Sequence, residues 1–160
     1  MDAESDMQTS APRSERDRWF VGTLLSVVAT GADTDGKLAV MEQRARRGFS
    51  PPRHIHRRED TAMFVIDGSL TVDIGGEERT VAAGGFVWLP RDVPHTFRVD
   101  SAQARFLELV TPPGFEQYHV DASDPALELQ IPPPSEPDIT RLVGAIGPYG
   151  AEIIGPPLEP

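Results

Sequence analysis

Residues 61–81 read TAMFVIDGSLTVDIGGEERTV, two short apolar-rich runs and a more polar third run, separated by two turn pairs. The pairs are Asp67-Gly68 and Gly75-Gly76, and both can supply the positive φ angles that tight β-turns require. Short runs rich in Val, Ile, Thr and Phe between such turns are typical of antiparallel strands. We therefore predict two consecutive β-hairpins in this stretch.

The same pattern continues on both sides of this stretch. Short apolar runs bounded by turn residues predict further strands at 19–29, 37–45, 53–57, 86–90, 94–100 and 104–110. With the central three they make about nine strands, a count that favours a sandwich or a small barrel. The chain has 16 Pro and 14 Gly residues, which agrees with many turns and few long helices. The expected fold class is all-β.

Two segments outside the strands complete the predicted organisation. Residues 1–18 mix both charges with Ser and Pro, and we interpret them as a flexible N-terminal arm before a barrel domain at 19–111. Residues 112–160 form a Pro-rich C-terminal extension. Within it Asp138 can cap a short helix whose apolar positions recur with helical spacing. These positions, which we expect to pack on the barrel, are Ile139, Leu142, Val143 and Ile146.

Composition excludes several classes of function. The 160 residues contain 15 Lys+Arg and 25 Asp+Glu, a formal charge of −10, which argues against nucleic acid or an anionic membrane surface as the main partner. No apolar run is long enough to cross a bilayer. The chain has no Cys, so disulfides and thiolate sites are absent. The N-terminus has no secretory pattern, and we expect a cytoplasmic protein with a small-molecule ligand.

Three of the four histidines occur in strand-like contexts. His54 and His56 are two residues apart, so on a strand both imidazoles point to the same side. His95, on another predicted strand, is the candidate third ligand of a metal site. Imidazole suits Fe, Ni, Cu, Zn and Mn, and a site with three protein ligands leaves positions open for water, substrate or dioxygen.

The spacing around these histidines resembles the two motifs of the cupin superfamily. The stretches that carry the resemblance are HIHRREDTAMFVIDGSLTV and AAGGFVWLPRDVPHTFRV. The matching positions are Gly48, His54, His56 and Gly68 in the first motif, and Gly84, Pro90 and His95 in the second. The chain looks like a single-domain bacterial cupin of the quercetin-dioxygenase-like kind. The resemblance implies an RmlC-like jelly-roll barrel with a C-terminal extension, and by analogy a homodimer.

One position departs from the resemblance. Metal-binding cupins usually have Glu five residues after the second motif histidine, and here that residue is Thr61. The neighbouring Asp60 could replace it only by a shift in strand register, which would turn the whole strand face around, so we assign Asp60 to the surface. With three neutral ligands, a bound ion would keep its full charge, lowering affinity and raising Lewis acidity. A relic site without metal is the alternative.

Strand alternation suggests what surrounds such a site. If Thr61 points inward, Met63 and Val65 do too, and if His95 points inward so does Phe97. We expect these four residues, Thr61, Met63, Val65 and Phe97, to line an apolar substrate pocket. Glu108 and Glu42 occur mid-strand among apolar neighbours and are candidate general bases, although a solvent-facing carboxylate is the simpler interpretation of each.

Three functional hypotheses follow from these residues. The first is a mononuclear metal-dependent dioxygenase acting on a small aromatic, enol or diketone-like substrate. The second keeps the divalent ion but is a non-redox cyclase or isomerase of polyketide-like or sugar-like substrates. The third is a small-molecule-binding barrel without catalysis, which the absence of Glu at position 61 favours. Activity with redox-inactive Zn would distinguish the second hypothesis from the first.

Overall fold

The computed structural model describes residues 12–160 of the chain. They form twelve strands in two antiparallel sheets, with two short α-helices. The strands are β1 (Asp17–Phe20), β2 (Thr23–Ala29), β3 (Ala39–Arg46), β4 (Arg53–His56), β5 (Asp60–Asp67), β6 (Ser69–Ile74), β7 (Glu77–Ala82), β8 (Phe86–Leu89), β9 (His95–Val99), β10 (Gln103–Thr111), β11 (Asp124–Pro125) and β12 (Ala151–Gly155). The helices are α1 (Glu116–Asp121) and α2 (Ile139–Ile146).

Each sheet has one face that contributes to the core. The larger sheet has the order β11-β1-β2-β3-β10-β5-β8, and the smaller has the order β12-β4-β9-β6-β7. Inward residues alternate with outward ones, as in β3, where Met41 and Ala45 are fully buried and Arg44 and Arg46 are exposed. One buried cluster surrounds Met41 and a second surrounds Phe106. This arrangement confirms the all-β prediction.

The two glycine turns of residues 61–81 have different roles. Gly75 and Gly76, at φ 62° and 94°, join β6 to β7 in a true hairpin that pairs Ile74 with Glu77. The predicted hairpin at Asp67-Gly68 is wrong, because β5 pairs with β8 and β10 while β6 pairs with β7 and β9. Gly68, at φ 86°, instead carries the chain from one sheet to the other.

The apolar run at 19–29 is two strands and not the single strand that its composition predicts. Val21 and Gly22 both have positive φ, 48° and 76°, and they reverse the chain so that β1 pairs with β2. A β-branched residue rarely adopts this conformation, so the apolar pattern concealed the turn. The first strand begins at Asp17, two residues before the boundary expected from composition. Residues 1–11 of the expected N-terminal arm lie outside the described residues.

The C-terminal extension contains the expected helix α2 and three elements that the sequence did not predict, namely α1, β11 and β12. Asp138 caps α2 by accepting a hydrogen bond from the backbone N–H of Arg141 at 2.9 Å. Leu142 and Ile146 are buried, whereas Ile139 and Val143, which we also expected to pack inward, are more than half exposed. After α2, strand β12 adds to the edge of the smaller sheet beside β4. No helix in residues 12–160 has the length and apolar character needed to cross a membrane.

Candidate metal centre

Strands β4 and β9 bring three histidines together in the smaller sheet. His54 and His56 share one side of β4, and His95, the first residue of β9, pairs directly with His54. A ring nitrogen from each histidine lies within 4.8 Å of those of the other two. The three ring centroids are 4.5 to 5.2 Å apart. The three proposed ligands are therefore neighbours in space.

Each imidazole has its Nδ1 atom occupied by an oxygen acceptor. The Nδ1 of His54 lies 2.6 Å from the carbonyl oxygen of Pro52, and that of His95 lies 3.2 Å from the carbonyl oxygen of Val93. The Nδ1 of His56 lies 2.6 Å from a carboxylate oxygen of Glu59. Carbonyl and ionised carboxylate oxygens only accept, so Nδ1–H donates and Nε2 keeps its lone pair for another ligand.

Burial favours the neutral forms of His54 and His95. Desolvation lowers the pKa of His95 to about 4, with a further contribution from the neighbouring His56. Desolvation also holds the pKa of His54 well below its usual value, assisted by His95 and His56. Neutral imidazole is the form that binds a metal ion. The cluster is therefore ready to accept a cation at neutral pH without first losing a proton from His54 or His95.

Phe115, in the turn before α1, packs against one of the three clustered histidines. The Phe115 ring meets the His56 ring edge to face, with centroids 4.3 Å apart. His119 packs between Phe115 and Phe20, at 5.1 and 4.8 Å, and its burial lowers its pKa to about 3. All four histidines of the chain are thus in one region, although His119 is not part of the three-nitrogen cluster.

Glu108 lies on the inward side of β10. It is half-buried, and the Nε2 atom of the buried Gln43 donates a hydrogen bond to its Oε2 atom at 3.1 Å. Burial raises the pKa of Glu108, while the charge interaction with His56 and the bond from Gln43 oppose that rise. Glu108 therefore points inward, and its role as a general base stays a prediction.

Glu42 faces the other way, which corrects the expectation that it could serve as a base. Arg105 donates two hydrogen bonds to its carboxylate, both at 2.9 Å, and Arg44 donates a third at 3.3 Å. Although burial alone would raise the pKa of Glu42, these arginines bring it below its usual value. The reason is register: Glu42 occupies the outward position between the inward Met41 and Gln43.

The four expected pocket residues all point inward and are buried. Met63, Val65 and Phe97 belong to the packed cluster around Phe106. Thr61 is 1% exposed, and its hydroxyl has no hydrogen-bond partner among the described residues. Their role in lining a substrate pocket stays a prediction.

The two acidic residues before Thr61 point in different directions. Asp60 is at the surface, where its carboxylate accepts a hydrogen bond from the Arg91 side chain at 3.0 Å. Glu59 is 3% exposed and points to His56. We assigned Glu59 no role from the sequence. The signal that could have found it is its spacing, three residues after His56, which permits contact across a turn.

One protein family and two known proteins match this chain. The Cupin domain family matches residues 41–110. Quercetin 2,3-dioxygenase from Bacillus subtilis (strain 168) is 27% identical over 112 residues, which are 69% of this chain and 33% of the relative. The chain thus spans about a third of that protein. Polyketide synthase CurC from Streptomyces cyaneus is 32% identical over 108 residues, which are 66% of this chain and 68% of the relative.

A solved structure supports the same fold. An RmlC-like cupin from Shewanella frigidimarina NCIMB 400 superposes with a TM-score of 0.55, covering 70% of this chain and 91% of that chain at 16% identity. At this identity the likeness concerns the fold alone. It agrees with the two-sheet architecture and with the resemblance expected from the histidine motifs.

Proposed function

This chain belongs to the cupin superfamily, and from that membership we propose that it is a divalent-metal enzyme acting on a small, enolisable substrate. The observation that carries the proposal is the cluster of three imidazoles, each with Nδ1 engaged and Nε2 left for a ligand. This donor set fits a borderline transition-metal ion. His54, His56 and His95 would hold the ion.

A bound Fe, Ni, Mn, Cu or Zn ion would supply Lewis acidity and open coordination positions for substrate oxygens. Thr61 contributes no charge, so the protein ligands are three neutral groups. A chelating pair of oxygens on an enol, catechol or diketone is the substrate feature that suits such a centre. The proposed substrate class is therefore a small oxygen-rich aromatic or polyketide-like molecule.

Glu108 is the proposed proton acceptor. Its pKa is raised toward neutral pH. A group whose pKa is close to the working pH can both accept and release a proton. Gln43 donates to Oε2, which leaves Oε1 as the oxygen that receives a proton from the substrate hydroxyl. The ring of Phe115, which packs edge to face on His56, would restrict water around the deprotonated substrate.

Dioxygenation is the first candidate reaction. Removing a proton from an enol makes the substrate electron-rich, and dioxygen is the co-reactant that would oxidise it. The similarity to quercetin 2,3-dioxygenase supports this choice, although the matched part is 33% of that protein. About two thirds of that relative therefore lie outside the match.

A non-redox cyclisation or isomerisation is the second candidate. The similarity to polyketide synthase CurC supports it, because the match covers about two thirds of both chains, 66% and 68%. The same proton removal by Glu108 would then generate a carbon nucleophile for ring closure. No redox change at the ion is needed in this reaction.

Oxygen uptake separates the candidates. Purified protein is loaded with Fe(II), Mn(II), Ni(II), Cu(II) or Zn(II) and supplied with a flavonol, a β-diketone and a polyketide-like polyketone. Dioxygenation predicts oxygen consumption with a redox-active ion and none with Zn. Product formation with Zn and no oxygen consumption would favour cyclisation. If the protein binds these compounds tightly but turns over none of them with any of the five ions, the enzyme proposal is overturned. The expected homodimer and cytoplasmic location stay predictions.

A further inference from the structure

Glu59 is a buried carboxylate with one partner. Its side chain is 4% exposed, that of His56 is 2% exposed, and the two meet at 2.6 Å. In residues 12–160 no other hydrogen bond or ion pair reaches the Glu59 carboxylate. Burying a carboxylate costs free energy unless a hydrogen-bond donor or a positive charge compensates it. The contact with His56 therefore has to provide most of that compensation.

The nearest cations in sequence are directed elsewhere. Arg57 donates to Asp92 and Glu152 at the surface, and Arg58 donates to the carbonyl oxygen of Pro148. Neither arginine pairs with Glu59, although Arg58 adjoins it in the chain and Arg57 is two residues before it. The segment between β4 and β5 thus turns its basic residues outward and its single buried acid toward the histidine cluster.

We infer that Glu59 is a positioning residue of the proposed metal centre and supplies, through the Nδ1–H of His56, the negative charge that Thr61 does not. The inference rests on the proposed metal site. It adds to that site a residue that does not itself contact the ion. Of the three imidazoles, only His56 has an anionic acceptor, since His54 and His95 use backbone carbonyls.

Two physical effects follow from this contact. An acceptor-only oxygen at Nδ1 keeps the proton there and leaves Nε2 bare, and its hydrogen bond fixes the ring orientation. The carboxylate charge also makes Nε2 a stronger base than an imidazole bonded to a carbonyl. A divalent ion on the far side of the ring would in turn supply the positive charge that the buried carboxylate lacks. Loss of such a partner typically weakens metal binding by about 10 to 100-fold.

The test compares Glu59→Gln and Glu59→Ala with the wild-type protein. Gln keeps the shape and an accepting oxygen but removes the charge, whereas Ala removes both. Asp60→Asn is the matched control, because it removes the same charge from the adjacent residue, whose carboxylate pairs with Arg91 at the surface. Circular dichroism checks that each variant is folded. The first readout is the ¹⁵N NMR tautomer of His56 in metal-free protein, and the second is Zn(II) affinity by competition with a chelating dye.

We expect Nδ1-protonated His56 in the wild type and in Glu59→Gln, and loss of that preference in Glu59→Ala. Zn(II) affinity is expected to fall about 10-fold in Glu59→Gln and about 100-fold in Glu59→Ala, with Asp60→Asn unchanged. A Glu59→Ala protein that binds Zn(II) as tightly as the wild type, or a wild-type His56 with its proton on Nε2, overturns the role of Glu59. A wild-type protein that binds no Zn(II) overturns the metal centre itself, and the role of Glu59 with it.

Discussion

His54 and His95 lie directly opposite each other across the antiparallel strands β4 and β9, with their ring centroids 4.5 Å apart. They are 41 positions apart in sequence, and this is the one register pair that the two strands make among the described residues. The site therefore depends on a short contact between strands. On its other side β4 is held by β12, whose Ile153 pairs with His54.

Metal binding should require the three clustered histidines and not the fourth. We expect His54→Ala and His95→Ala to lose a stoichiometric divalent ion that the wild-type protein retains, because each removes one of three ligands. His119→Phe is the control, since His119 is buried nearby but outside the cluster. Elemental analysis of protein purified without chelators measures the outcome. Equal metal content in His95→Ala and wild type would contradict the assignment.

The two glutamates considered from sequence should behave differently. Glu108→Gln is expected to lower turnover by about 10² to 10⁴-fold while leaving the metal bound, because it removes the proposed proton acceptor. Glu42→Gln, an equal change in charge on the outward side of β3, should leave turnover close to wild type. Steady-state kinetics with whichever of the three test compounds the wild-type protein turns over provides the measurement. Similar losses in both variants would argue against a specific role for Glu108.

Glu108→Gln should also raise the melting temperature of the metal-free protein at neutral pH. Burial raises the pKa of Glu108, so the folded state disfavours its ionised form, and a neutral amide of similar shape removes that cost. Differential scanning calorimetry measures the shift. A lower melting temperature for Glu108→Gln would show that its charge stabilises the fold.

Metal-free protein should lose stability as the pH falls below 6.5. The pKa of His95 is about 4 and that of His119 about 3, so below pH 6.5 the unfolded chain binds protons that the folded chain does not. For His95 the loss approaches about 3 kcal/mol by pH 4. Chemical denaturation at several pH values from about 7.5 to 4.5 measures it. His119→Phe should flatten the dependence, and a free energy of unfolding that is constant over this range would refute the explanation.

Gly68 should be far less replaceable than Gly48, although their φ angles are 86° and 87°. A Cβ at Gly68 would overlap the backbone oxygen of Gln103 and come within 3.0 Å of the Cα of Ala104, whereas Gly48 has nothing within 4 Å. We expect Gly48→Ala to cost about 1 kcal/mol from backbone conformation, and Gly68→Ala about 3 kcal/mol or more. Urea denaturation compares them. Equal costs would mean that the close approach at Gly68 is relaxed without penalty.

Local chemistry explains most of what could be predicted. Periodicity of two, glycine turns and the spacing of His54 and His56 are properties of neighbouring residues, so they indicated an all-β fold and two ligands on one strand face. The helix at Ile139–Ile146 was also predictable, because its cap and its stop signal adjoin it. The turn at Val21-Gly22 was harder to predict, since only Gly22 signals a turn and the β-branched Val21 favours a strand.

The sequence by itself determined the all-β class, the candidate ligands His54, His56 and His95, and the absence of cysteine chemistry, since these depend on residue type and short spacing. Only the tertiary structure decided that Glu108 faces the barrel interior and Glu42 the solvent, and that Glu59 reaches His56. Alternation along a strand tells which residues share a face. Which face is buried depends on how distant strands pair, and that pairing is a property of the whole fold.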